Sequence, residues 1–304
     1  MYSQHAFHMA GIVPVAGHPL DFNFPWHDAL QPVAANYLAV ERAVVECAYA
    51  GCRTIWIVCN ADMQPLIRHR LGDWVMDPQS LEASKFAKFP NWYYKEVPIF
   101  YVPIHPDDRD KRDCLAWSVI HGAYIADWVS RTISRWVTPR KFFVSWPYGI
   151  NHFRPIQDNR RVVNSDRRVL FSYDGKTVCD GEYLPFSFNL DDMKRFKNTI
   201  RKKGTGKYEI DHSGKSKNPW NLKLRPMAER FSARFFNLED VFAFDDLKEE
   251  EVLELDWYYN ISSWDGLCTY LGSEERKLVK RAPKSIMSYH EFSPIGVDID
   301  EKSS

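Results

Sequence analysis

The sequence predicts an α/β fold built on a mostly parallel, doubly wound sheet, and three stretches carry that expectation. Ile12 to Val15 is a short apolar, β-branched run that closes on Ala16-Gly17, as a buried strand entering a tight turn should. Between Ala34 and Ala50, apolar Tyr37, Val40, Val44, Cys47 and Ala48 recur at helical spacing. Arg42 and Glu46 fall on the other side, and Gly51 stands where a helix terminates. Thr54 to Cys59 is a continuous apolar run of the kind a parallel sheet buries on both faces. Strand, loop, helix, strand is a βαβ unit with a right-handed crossover. Ligands in such sheets bind beyond the carboxyl ends of the strands, here at the loop from Ala16 to Pro32.

The later elements follow from the same periodicities. Asp62 to Arg70 predicts a short helix with Pro65 in its first turn, and Ile99 to Ile104 a strand. Asp113 can cap the longest helical signal, Cys114 to Val137, whose stripe includes Leu115, Val119, Ala123, Ala126 and Val129. Thr138-Pro139 stops it, and Lys141 to Trp146 reads as a further strand. Residues 1–150 thus form the expected core, and residues 151–304 the remainder of the sheet, a basic insertion near 194–218 and C-terminal additions. The five arginines between 151 and 168 alternate with acids, the pattern of a solvated excursion. Val169 to Tyr173 and Asp174 to Val178 predict a hairpin turning on Asp-Gly. Asn189 can cap a helix that runs into the basic stretch from Lys194 to Lys207. Trp257 to Ile261 reads as a last strand, and Ser263 as the cap of a helix from Trp264 to Leu271.

Composition removes several function classes. Forty Lys+Arg balance forty Asp+Glu, so no global attraction to nucleic acid or anionic membrane is implied. The basic run at 194–207 has two readings: a solvated helix end, or a loop contacting phosphate or nucleic acid. Six cysteines without a CxxC pair suit reduced thiols in a cytosol. No apolar run reaches membrane-spanning length and the N-terminus has no signal-peptide pattern, which predicts a soluble chain. Aromatics make up 15% of the residues, enough to fill a bulky core or to line a pocket or subunit contact. The members weighed for the second role are Trp26, Trp92, Tyr93, Tyr94, Trp146 and Tyr148. No G-x-S-x-G motif is present to suggest a serine hydrolase.

Val13-Pro14-Val15-Ala16-Gly17, Ala29-Leu30-Gln31-Pro32-Val33, Ala43-Val44-Val45-Glu46 with Ala50-Gly51, and Ile55 to Asn60 together resemble the opening of sugar-phosphate nucleotidyltransferases. The resemblance is strong over the first 60 residues and faint to about two thirds of the chain. It implies a Rossmann-like nucleotidyltransferase sheet, and a pocket for a nucleotide or sugar phosphate lined by Ala16, Gly17, Asp21, Trp26, Asn60, Trp146, Tyr148 and Gly149. If the chain is active, it implies Mg²⁺ held by Asp21 and Asp28, with His27 nearby.

The departures are chemical. A triphosphate loop needs glycines, so that N–H groups can approach the ligand, and an Arg and a Lys for charge. Residues 18–28 contain neither Gly, Arg nor Lys, and Asp21 and Asp28 occupy the region where the cations would fall. Pro19 and Pro25 remove two donors, and Trp146-Pro147-Tyr148-Gly149 stands where a Gly-Asp metal motif is expected. Two functions follow as expectations. One is a non-catalytic nucleotidyltransferase-like subunit whose aromatic surface meets a protein partner or a second copy; such divergence suits a viral protein, in a host cytoplasm or a virion. The alternative is an active enzyme joining an NTP to a sugar phosphate.

Overall fold

A computed structural model describes residues 8–17, 21–80, 95–104, 114–133, 138–203, 208–210, 222–224, 236–244 and 250–281. Its centre is an eight-stranded sheet. In spatial order the strands are β13 (Glu250–Glu254), β9 (Arg168–Ser172), β10 (Phe186–Asn189), β7 (Lys141–Val144), β1 (Met9–Pro14), β4 (Thr54–Cys59), β6 (Glu96–Pro103) and β5 (Trp74–Met76). All but β5 and β10 run the same way. The two apolar runs of the opening unit are adjacent and parallel, with Ile12 opposite Trp56, as expected.

Alternation along β1 shows why the sheet is covered on both faces. A Cβ on Gly11 would lie 2.8 Å from the Cys47 sulfur of helix α1 (Ala39–Ala50). Ile12, one residue on, faces the other way: a Cβ on Gly122 of helix α3 (Leu115–Ile133) would come 3.1 Å from its Cγ2. Small residues at these two points let each helix lie close on the central strands.

Helix α1 starts later than its periodicity predicts. Pro32–Ala34 (β2) and Tyr37–Leu38 (β3) pair as a small hairpin around Asn36 at φ 54°, so the first turn belongs to the hairpin. Glu41 then accepts the Leu38 N–H at 2.7 Å and opens the helix, which Gly51 closes at φ 90°. Helix α2 (Gln64–Leu71) has Pro65 in its first turn. The ends predicted for α3 at Asp113 and at residues 134–137 lie outside the described residues, as do Trp92, Tyr93 and Tyr94.

Three expectations are corrected. Arg42 and Glu46 do not face solvent; both are 1% exposed, paired at 2.7 Å beneath the sheet's edge. The segment after 151 is not a solvated excursion: it forms α4 (Arg154–Asp158) and α5 (Arg160–Val163), and Arg160 grips Asp77 through two bonds of 2.8 and 2.7 Å. The Asp-Gly turn exists, with φ of 51° and 71°, yet only Tyr173 and Lys176 bridge across it, and β9 pairs instead with β10 and β13. As the sequence predicts, the basic run begins on a helix, α6 (Leu190–Lys203), whose buried Phe196 and Ile200 pack it on the body of the fold. Asn189 caps it as predicted, accepting N–H bonds from Asp191 and Asp192 at 2.9 Å.

Tyr208–Ile210 (β11) and Leu222–Leu224 (β12) pair antiparallel in a separate two-stranded sheet, and after α7 (Leu238–Val241), Glu250–Glu254 forms an acidic edge strand. The last predicted strand, Tyr258–Asn260 (β14), pairs outside the main sheet with β8 (Gly149–Asn151). Helix α8 (Trp264–Leu271) begins at Ser263, whose hydroxyl accepts the Gly266 N–H. It packs with the β2–β3 hairpin in a second small core, where Tyr270 donates to the Val33 carbonyl at 2.9 Å. Among the described residues no helix is long and apolar enough to cross a membrane.

Candidate functional site

The carboxyl ends of β1, β4 and β7 meet at one edge of the sheet, where a doubly wound fold places its ligands. Their backbone is already engaged. The N–H groups of Val15 and Ala16 both donate to the Val58 carbonyl at 2.8 Å, so the turn after β1 closes on β4 instead of presenting those donors to a ligand. Ser118 of α3 donates to the Ala16 carbonyl, and Tyr148 reaches the Val15 carbonyl at 3.4 Å. Gly17 lies against the start of α3, where a Cβ would be 3.3 Å from Leu115 Cδ2. Asn60 is half-buried and its carbonyl accepts the N–H groups of Met63 and Gln64 as α2 begins.

The predicted site residues divide into two groups. Asp28 joins the strand ends: it is only 5% exposed, in a 3₁₀ turn (Asp28–Leu30) that His27 caps by accepting the Ala29 N–H through Nδ1. Its charge reaches two phenols. Tyr183 is pushed up to about 12, by burial first and then by Asp28. Tyr148 is raised well above the ordinary tyrosine value by the same causes in the same order. The two rings are 5.4 Å apart, edge to face. His27 is held below its usual range by burial, against the opposing pull of Asp28 and Asp62.

Asp21 and Trp26 belong instead to α8. Asp21 Oδ1 accepts the Asn23 N–H at 2.9 Å, and Oδ2 accepts the Trp264 N–H at 2.8 Å. These bonds, the Trp264 one first, hold the carboxyl below its ordinary range. Phe24 and Trp26 pack on the Trp264 indole at 5.7 and 6.5 Å. Trp146 turns inward: its indole donates to the Leu184 carbonyl at 3.0 Å among Tyr183, Phe186 and Phe242. Gly149 is buried where a Cβ would sit 2.0 Å from the Tyr183 carbonyl, so only glycine lets β8 pass beneath that segment.

Below the strand ends lies a polar network that sequence reasoning missed. Ser145, the residue after β7, donates to Glu46 Oε1 at 2.8 Å. Arg42 holds the other Glu46 oxygen and donates to the Gly149 and Asn151 carbonyls, each at 2.9 Å. Burial raises the Glu46 carboxyl above its ordinary value, opposed by Arg42 and Ser145. Tyr183 lies in the segment Gly181 to Phe188, which resembles the one that shapes the sugar pocket in sugar-phosphate nucleotidyltransferases, but the sequence does not single it out as a residue. For the network, the available signal was an opposite-charge pair, Arg42 and Glu46, four residues apart on a helix that is otherwise apolar after its first turn. Among the described residues, no group of three or more His, Cys, Asp or Glu side chains is placed to hold a metal ion.

The chain matches no protein-family model, and no curated protein matches it in sequence. Solved structures match its fold. One is named as a glucose-1-phosphate thymidylyltransferase from Bacillus anthracis, in complex with sucrose: TM-score 0.53, 11% identity, 91% of this chain and 98% of that one. A UTP-bound UGPase from Acinetobacter baumannii gives TM-score 0.51 at 12% identity over 87% and 92%. A UDP-glucose pyrophosphorylase complexed with UDP-glucose gives 0.53 at 10% over 89% and 99%.

Proposed function

We propose that the fold shared with these nucleotidyltransferases is retained here without their chemistry, and that the chain acts as a non-catalytic binding subunit. The observation that carries this reading is Asp28. A carboxylate 5% exposed at the strand ends, beside the buried Tyr148 and the half-buried Tyr183, opposes the entry of a triphosphate. The Val15 and Ala16 amides, turned onto Val58, add to the same conclusion.

The Mg²⁺ implied by the sequence resemblance does not fit the residues present. Asp21 holds two backbone amides with its two oxygens, Asp28 is buried beside Tyr148 and Tyr183, and the two are not part of any group of acids placed to hold a metal among the described residues. No step is therefore assigned to a metal ion. On this reading the partner-facing surface is the exposed aromatic edge of Phe22, Trp26 and Trp264, and it meets another protein.

Incubation of the protein with each NTP, Mg²⁺ and glucose 1-phosphate, followed by pyrophosphate release, tests the reading. No release above the protein-free blank is expected. Turnover that Asp28→Ala abolishes would overturn it in favour of an active nucleotidyltransferase.

A further inference from the structure

Helices α3 and α6 carry features that the strand-end site does not use. Tyr124 and Trp128 stand one turn apart on α3 and are 42% and 58% exposed. Large aromatics on a solvent-facing helix surface are poorer helix formers than Ala, Lys or Glu and bury little apolar area there. Tyr124 spends part of its ring on the neighbouring helix, through Lys197, while most of the Trp128 side chain stays in solvent.

Helix α6 packs beside α3. The two are antiparallel: α3 starts at the strand-end edge against Gly17, whereas α6 follows β10, which runs opposite to β7, and returns toward that edge. Lys197 sets the register, its ammonium 4.2 Å from the Tyr124 ring centroid. By helical spacing from that contact, Trp128 falls on the same side as Lys194 one turn one way, and His121 on the same side as Arg201 one turn the other way. The result is a ridge in which a ring row on one helix runs beside a cation row on the other, in steps of about 4.5–6 Å, three or four residues of helix rise. Lys194 and Arg201 are exposed, and the Lys194 pair with Asp191 is a surface contact of the kind that exchanges readily.

We infer that this ridge binds single-stranded nucleic acid. The ligand must offer flat π-faces and regularly repeated negative charge, and unpaired nucleotides offer both. Bases stack on Trp128 and Tyr124, while Lys194, Lys197 and Arg201 follow the phosphates. The flexible stem of Lys197 lets its ammonium move from the ring to a phosphate and free the ring face. Duplex is a poorer ligand because its bases are already stacked. The inference does not depend on whether the strand-end site is catalytic.

The test is fluorescence anisotropy of the full chain with a fluorescein-labelled oligothymidine 12-mer, a hairpin duplex of equal length, and phosphatidylserine vesicles as competitor. The single strand should bind in preference to the hairpin. The slope of log K against log salt should be about −2, for roughly three phosphates neutralised. Tyr124→Ala and Trp128→Ala should each weaken binding about tenfold. Lys197→Gln with Arg201→Gln should bring the slope to about −0.7. Circular dichroism of these surface variants should match that of the parent. Absence of binding in 50 mM salt, equal affinity for the hairpin, displacement by the vesicles, or indifference to loss of both rings would each overturn the inference.

Discussion

The carboxylate of Asp21 accepts the backbone N–H of Trp264 at 2.8 Å, joining two residues 243 positions apart. It thereby caps the first turn of α8 from outside that helix and, with the Trp26–Trp264 contact, fixes the loop that leads to the crevice. The same carboxylate that the sequence offers to a ligand thus clasps two distant parts of the chain.

Asp21→Ala should lower Tm by about 2 °C, the scale of one lost helix cap in a chain of this size. Thermal unfolding measures that change, and amide exchange at Trp264 should quicken at the same time. The clasp is also acid-sensitive. The Asp21 carboxyl is depressed in the folded chain, so its contribution is present above its ordinary value near 3.8 and is lost as pH falls through the folded value.

The Arg42–Glu46 pair predicts a non-additive double mutant. Both residues are 1% exposed, so removing one strands the other. Arg42→Leu alone should destabilise by about 3–5 kcal/mol, since it leaves a buried carboxylate with only Ser145. Adding Glu46→Leu should recover a substantial part of that loss. Urea unfolding of the two single variants and the double variant provides the cycle; strict additivity would show that the pair is not coupled.

A third expectation concerns pH. His8 is buried and held at about 4 instead of 6.5, by burial first, then by Arg53 and Lys95. Between those two values the unfolded chain binds a proton that the folded chain does not. Stability therefore rises with pH through that window and is complete above about 6.5. His8→Gln, which keeps a polar group beside Thr54, should flatten the fall in Tm between pH 6.5 and pH 4. An unchanged profile would show that His8 carries none of it.

Much of the fold was legible because its strands are buried on both faces. Thr54–Cys59 has the bounds its apolar run predicts, and Ser263 with Gly272 frames α8. Burial also explains the failures. Arg42 and Glu46 sit at positions that helical periodicity assigns to solvent, yet here strand β8 covers that side and supplies carbonyls to Arg42. Glu250–Glu254 hides a strand behind its acids because Arg168 neutralises Glu250 from the neighbouring strand. The candidate site was legible only as a place. Position along β7 set Trp146 near the strand ends, but the direction of its side chain depends on Phe186 and Phe242, which arrive from later in the chain. Asp21 likewise finds its partner in the last described helix, beyond the reach of any local pattern.

Calorimetric titration of the chain with each NTP and Mg²⁺, repeated on Asp21→Ala and Asp28→Ala, tests the central claim most directly. Retention of the fold without nucleotide chemistry predicts no saturable heat from any nucleotide, for the parent or either variant. Micromolar binding by the parent that is lost in Asp28→Ala would contradict it and make that carboxylate part of a working site.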